Sequence, residues 1–277
     1  VHPPLACTVR GCGRPLTPAG RHLSCDAGHS FDVARSGYVS LLQPQDRRSS
    51  EPGDAKEAVA ARARLLDAGV GRAAIDAIVE AGLKTGGYEA TLVAADLGCG
   101  SGELLGTLAS GRDVSGVGID LSAAAAGMAA RKFPSLTWIV ANADRGLPLL
   151  DASVHLITSL NGRRHVDECA RVLSPEGTLI VAVPAPDDLG ELRARVQGEA
   201  VARDRADAVV AAHEARFSLA ERFTVRTRHQ LEGQALRDVL RGTYRGARAS
   251  AAPRVETLGT LEITLATDVC VFGRRRT

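Results

Sequence analysis

The chain has 277 residues, with 45% hydrophobic and 24% charged side chains, which suits one large α/β domain plus a smaller module. Those fractions are ordinary for a globular protein, and no apolar run approaches the roughly eighteen residues that span a bilayer. The net charge of +2 announces no nucleic acid by itself, because every basic residue except Lys56, Lys84 and Lys132 is arginine, in a chain rich in alanine.

The opening Val1-His2-Pro3-Pro4 lacks the basic and apolar blocks of a signal peptide, so a cytoplasmic location without membrane contact is expected. A cysteine cluster follows. Cys7, Cys12 and Cys25 crowd the first stretch, whereas Cys99, Cys169 and Cys270 are scattered and read as small apolar residues. Cys7-x4-Cys12 and Cys25-x3-His29 form two pairs around residues 13–24. Three thiolates and one imidazole suit a closed, structural zinc site, with His22 a rival ligand of poorer spacing. Pro15, Pro18 and Gly20 between the pairs predict a β-hairpin presenting two ligand-bearing loops. A module of about forty residues is too small for its own apolar core, so metal would stabilise it. Residues 1–42 are therefore expected to form a zinc-binding module. Arg14, Arg21, Arg35, Arg47 and Arg48 are candidates to grip phosphates.

Residues 43–85 form a connector, helical over 54–83 and broken near Gly69-Val70-Gly71. Residues 86–277 form the main domain. Strand-like runs fall at 91–97, 114–119, 137–141, 154–160 and 178–184, and helical stretches at 103–110, 123–132, 166–173 and 189–203. This alternation predicts a Rossmann-like parallel sheet with helices on both faces. Ser174-Pro175-Glu176-Gly177 marks a turn before the fifth strand, and residues 223–229 and 261–272 should close the sheet as an antiparallel hairpin.

The first strand of that domain ends in Asp96-Leu97-Gly98-Cys99-Gly100-Ser101-Gly102. Glycines allow a positive-φ turn and close ligand approach, and the helix that follows offers unpaired N–H donors. Asp120 ends the second strand, where an acid can accept both hydroxyls of a ribose or cap the next helix. A nicotinamide cofactor or a purely structural turn are alternatives. The G-x-G-x-G spacing behind Asp96 resembles the S-adenosylmethionine loop of Rossmann-like, class I methyltransferases. That resemblance implies Gly98, Gly100 and Ser101 near the methionine portion and sugar. It also implies Asp96 at the amino group, Asp120 on the ribose, Leu121 against the adenine, and Asn142-Ala143-Asp144 at the adenine edge.

Gly28-His29-Ser30-Phe31-Asp32-Val33-Ala34-Arg35-Ser36-Gly37-Tyr38-Val39-Ser40-Leu41-Leu42 resembles the start of bacterial 23S ribosomal RNA (guanine-N1)-methyltransferases. So do Glu51-Pro52-Gly53-Asp54, Ala61-Arg62 and Leu66-Asp67-Ala68-Gly69. The resemblance implies S-adenosylmethionine, structural zinc and 23S rRNA as partners, a hairpin-loop guanine as target, and a homodimer; some relatives confer macrolide resistance. It also puts Asp188 at a position the family uses near the cofactor. The chain departs from the family in the four-residue Cys7–Cys12 spacing, in Val70-Gly71, and in Ser159-Leu160-Asn161-Gly162-Arg163-Arg164 after the fourth strand. Asn161 is the candidate for the target pocket, since an amide can pair with a base edge, with a turn residue as the alternative. Asn161, His165 and Asp188 are all candidates to assist departure of the N1 proton, and none has a distinctive spacing. A small-molecule methyltransferase retaining the zinc module, or a noncatalytic RNA-binding relative, are the other readings.

Overall fold

The computed structural model describes residues 3–46, 52–84, 91–197, 204–243 and 259–275. The N-terminal strands β1 (Thr17–Ala19), β2 (His22–Ser24) and β3 (Ser30–Asp32) form an antiparallel meander. The expected hairpin is present, and β3 extends it by one strand. β4 (Val39–Ser40) then leaves the small sheet and pairs in parallel with the large one. The connector holds α1 (Lys56–Asp67) and α2 (Arg72–Lys84), separated at Gly69-Val70-Gly71 as expected.

The main domain follows with β5 (Leu92–Leu97), α3 (Glu103–Gly111), β6 (Val114–Asp120), α4 (Ala123–Lys132), β7 (Thr137–Val140) and β8 (Val154–Leu160). Next come α5 (Val166–Val172), β9 (Leu173–Pro184), α6 (Gly190–Gln197), α7 (Ala206–His213), β10 (Phe217–Leu231), α8 (Gly233–Thr243) and β11 (Leu261–Arg274). The sheet order is β10-β11-β9-β8-β5-β6-β7-β4. β4 through β9 run parallel, and β11 and β10 close the sheet antiparallel, as the sequence pattern predicts.

The differences from expectation have local causes. The turn at residues 174–177 does not separate α5 from β9. Pairing already begins at Val154↔Leu173 and resumes at Leu156↔Thr178, so the four residues bulge out of the ladder. β10 starts earlier and ends later than residues 223–229, because it is an edge strand that keeps polar side chains on both faces. Helices α7 and α8 were not among the expected elements, although Leu236, Val239 and Leu240 of α8 have helical spacing and are buried. The far end of the helix expected at 189–203 lies outside the described residues. No described helix is long and apolar enough to cross a membrane.

Alternation along each strand splits the core between the two faces of the sheet. Trp138 and Val140 pack on one face with Ile75, Ile78, Leu105 and Ala129 from α2, α3 and α4. Ile139 packs on the other with Val172 of α5 and Val209 of α7. That second cluster also takes in Leu5, Cys7, Leu16, Leu23 and Cys25 of the N-terminal module. The module is seated by a bridge between Leu5 and Leu149 and by Ala6 N–H donating to Pro148 O at 3.0 Å.

Candidate functional site

Two loops of the N-terminal module bring four donor atoms together. Cys12 N–H donates to Val9 O at 2.9 Å, and Gly28 N–H to Cys25 O at 2.9 Å, closing one tight turn at each ligand pair. The donor atoms of Cys7, Cys12, Cys25 and His29 lie within 4.8 Å of one another. Tetrahedral zinc with Zn–S near 2.3 Å and Zn–N near 2.0 Å needs S···S edges of about 3.8 Å and S···N edges of about 3.5 Å. Cys12 Sγ and Cys25 Sγ are 3.9 Å apart, and His29 Nδ1 is 3.4 Å from Cys7 Sγ and 3.5 Å from Cys25 Sγ. The donor set therefore fits a tetrahedral zinc ion. His22 lies on β2, outside this cluster.

The second constellation stands at the carboxyl ends of β5 and β6. Gly98 and Cys99 N–H both donate to Ile119 O, at 2.8 and 3.2 Å, which folds the elbow back over β6. Gly98 has φ +75, and a Cβ there would stand 2.8 Å from Gly162 Cα. Glycine is needed because the backbone after β8 lies against it. Asp120 joins the two loops: its Oδ2 accepts from Gly100 N–H at 3.0 Å and its Oδ1 from Ser122 N–H at 2.8 Å. The cap of α4 is Ser122, whose Oγ accepts from Ala125 N–H at 3.3 Å, so Asp120 is not the capping residue. An ionised carboxylate has about four lone-pair sites, and two remain for hydroxyl donors. Burial raises the Asp120 pKa, opposed by the two N–H donors.

Asp96 is buried, 3% exposed. Its Oδ1 accepts from Thr158 Oγ1–H at 2.8 Å. Desolvation pushes its pKa up to about 7 against that hydrogen bond, with smaller contributions from the charges of Asp120 and Glu103. A buried carboxylate in this state suits a cationic ligand group, which would favour the ionised form. Ser101 is held by donating to Glu103 Oε2 at 2.7 Å, and Glu103 is buried against Lys132 Nζ at 3.2 Å. Glu103 is absent from the predicted site residues. Its signal was an acid at the first position of a helix after the third glycine, where a negative charge is stabilised.

The other predicted residues fall on the surrounding loops. Leu121 is partly buried against the α2–α4 core. Asn142 Oδ1 accepts from Asp144 N–H at 3.1 Å, an Asx turn that positions Ala143 between them. Asp144 pairs with Arg163 at 2.5 Å, joining the loops after β7 and β8. Asn161 is exposed with φ 57 and donates its N–H to Ala182 O at 2.9 Å. That left-handed conformation is one asparagine tolerates, in keeping with a turn residue. Arg164 is turned inward, donating to Gly162 O and His213 Nε2. Asp188 Oδ1 accepts from Ala266 N–H of β11 at 3.0 Å, with Arg193 3.7 Å from its Oδ2. Among the described residues, Ser159 Oγ and His165 Nδ1 are buried without a hydrogen-bond partner. Both flank the loop that carries Asn161.

The sheet order and the glycine elbow are those of a class I methyltransferase fold. A family model described as a methyltransferase domain matches residues 94–177, and one described as RlmA, N-terminal, a zinc ribbon, matches residues 6–50. A solved structure from Bacillus halodurans titled as a "putative methyltransferase" shares the fold, with a TM-score of 0.51 at 14% identity. The match covers 72% of this chain and 99% of that one. The 23S rRNA (guanine(748)-N(1))-methyltransferase of Streptomyces fradiae is 36% identical over 65% of this chain and 64% of its own length. A Micromonospora griseorubida protein named "Putative 23S rRNA (guanine-N(1)-)-methyltransferase" is 36% identical over 69% of this chain and 68% of its own. The chain thus spans about two thirds of the length of these relatives. It belongs to the 23S rRNA (guanine-N1)-methyltransferase family.

Proposed function

We propose that the protein transfers a methyl group from S-adenosylmethionine to N1 of a guanine in a 23S rRNA hairpin loop. The observation that carries this reading is Asp120, which ties the glycine elbow to the loop after β6 and keeps two lone-pair sites open. Asp120 accepts the ribose hydroxyls, Asp96 the methionine ammonium, and the backbone at Gly98, Gly100 and Ser101 lies along the methionine portion and sugar. Leu121 covers the adenine, and Asn142 and Ala143 contact its edge. Asp188 borders the cofactor, with its Oδ1 held by Ala266 N–H of β11. When bound, the cofactor would supply a sulfonium methyl for in-line displacement by guanine N1, the S–CH3 bond breaking to leave S-adenosylhomocysteine and the N1 proton passing to water.

Rate enhancement then comes from aligning acceptor and methyl at near-attack distance. The acceptor enters beside the loop at 159–165, where the unpartnered Ser159 Oγ and His165 Nδ1 support a polar ligand. A base in folded RNA has to turn out of its loop to reach that pocket. Cys7, Cys12, Cys25 and His29 hold zinc in a structural role, and the ribbon (residues 1–42) and connector (43–85) border the catalytic domain (86–277). Arg14, Arg21 and Arg35 are offered as phosphate contacts; Arg47 and Arg48 lie outside the described residues. A cytoplasmic homodimer completes the proposal.

Primer extension on 23S rRNA treated with protein and S-adenosylmethionine tests this reading. A stop at one hairpin guanine, dependent on both, is the expected result. Cofactor turnover on small molecules with no such stop would favour a small-molecule methyltransferase.

A further inference from the structure

The connector contributes a turn that lies directly on the proposed ribose loop. Gly53 has φ +87, and a Cβ there would stand 2.5 Å from Ser122 N and 2.8 Å from Leu121 C. Only glycine fits that contact. Ser122 Oγ donates to Asp54 O at 2.6 Å, from the same residue whose N–H donates to Asp120. Behind it, Arg62 Nη2 of α1 donates to Asp54 Oδ2 at 2.6 Å, and Arg62 Nη1 donates to Gly242 O of α8 at 2.9 Å. The chain of contacts runs from α8 through Arg62, Asp54 and Ser122 to the Asp120 carboxylate. Arg64, one half-turn further along α1, points elsewhere and pairs with Asp238 of α8 at 2.7 Å.

We propose that Gly53, Asp54 and Arg62 form a clamp that sets the Asp120–Ser122 loop, making Asp54 and Arg62 positioning residues for the methyl donor. This rests on the reading of Asp120 as the ribose acceptor. Two hydroxyls in a fixed geometry reward a carboxylate whose direction is set before binding. The Ser122 N–H orients one carboxylate oxygen, and the clamp holds Ser122 from its far side. Arg62 also places a positive charge against Asp54, which otherwise repels Asp120. The consequence is that part of the donor site is built by residues N-terminal to the methyltransferase fold.

Titration calorimetry of the full-length chain with S-adenosylmethionine and S-adenosylhomocysteine tests the clamp. Arg62→Ala and Asp54→Asn should each raise the dissociation constant about tenfold, with kcat at saturating donor within about twofold. Arg62→Lys should recover part of the loss, and Gly53→Ala should weaken binding although it leaves the Arg62 pair in place. Arg64→Ala, which breaks a contact of the same helix to α8, should leave affinity within about twofold. If R62A does not fold, D54N carries the measurement. Equal loss in R62A and R64A, or none in R62A, D54N and G53A, overturns the clamp while the donor site stands. No binding by the parent chain overturns both.

Discussion

The zinc ribbon and the glycine elbow are both built on glycine-rich turns, yet they leave their polar groups in opposite states. In the ribbon, four donor atoms face inward and complete one another within 4.8 Å. At the elbow, the carboxylates are held by one or two partners and keep capacity to spare: Asp120 on two N–H donors, Asp96 on one hydroxyl. A closed donor set stabilises structure, while an open one awaits a ligand. The contrast extends to packing. The ribbon contributes Leu5, Leu16 and Leu23 to the same core as β7 and α5, so metal and sheet are mechanically joined.

Removing the metal should therefore have the largest effect. Cys25→Ala, or chelation, should lower Tm by roughly 10 °C or more, since the ribbon's loss uncovers the side of the main core around Leu149. Differential scanning calorimetry with and without zinc measures this, and an unchanged Tm would reduce the ribbon to an independent appendage. For the same reason, deleting residues 1–40 would remove core as well as any RNA contact. Next in size, Asp120→Ala should weaken S-adenosylmethionine binding about a hundredfold by calorimetry, through loss of two charged hydrogen bonds and of the tie between the loops. Binding within a few-fold of the parent would place the ribose elsewhere.

The pH dependence sharpens the same contrast. In the proposed role Asp96 takes the donor's ammonium only when ionised, so donor affinity should fall as pH drops through about 7, approaching tenfold per pH unit below it. Above about pH 8 the donor's own amino group loses its proton and affinity falls again. Asp96→Asn should remove the acidic limb. For folding the sign is opposite: between the ordinary value of 3.8 and about 7 the native state keeps a proton that the unfolded chain releases, so this group's contribution to stability declines as pH rises. The smallest effect is expected at Asn161. With φ 57, Asn161→Gly should leave Tm unchanged and cost kcat less than about threefold. A hundredfold loss in kcat with intact donor affinity would assign the amide to the target base.

Much of the site was legible because its signals are local. Gly98, Gly100 and Asp120 are marked by a glycine run at one strand end and an acid at the next, and the ligand pairs at Cys7–Cys12 and Cys25–His29 by spacing. Glu103 was harder to see, because an acid in a helical stretch is common until its burial against Ser101 and Lys132 is known. Asp188 was named through the family resemblance, and its hydrogen bond from Ala266 N–H of β11, which returns from far along the chain, came only from the structure. The clamp residues were visible as a family motif, whereas their contact with Ser122 spans more than sixty residues of sequence.

Residue types and their spacing determined the parallel α/β architecture, the metal-binding head and the open elbow, because periodicity, turn chemistry and ligand spacing act over a few residues. Tertiary structure alone decided how those parts meet. It seated the ribbon in the sheet's own core, turned Arg164 inward and laid the connector against the Asp120 loop. Such contacts depend on which surfaces bury one another, a long-range outcome that no short window of sequence encodes.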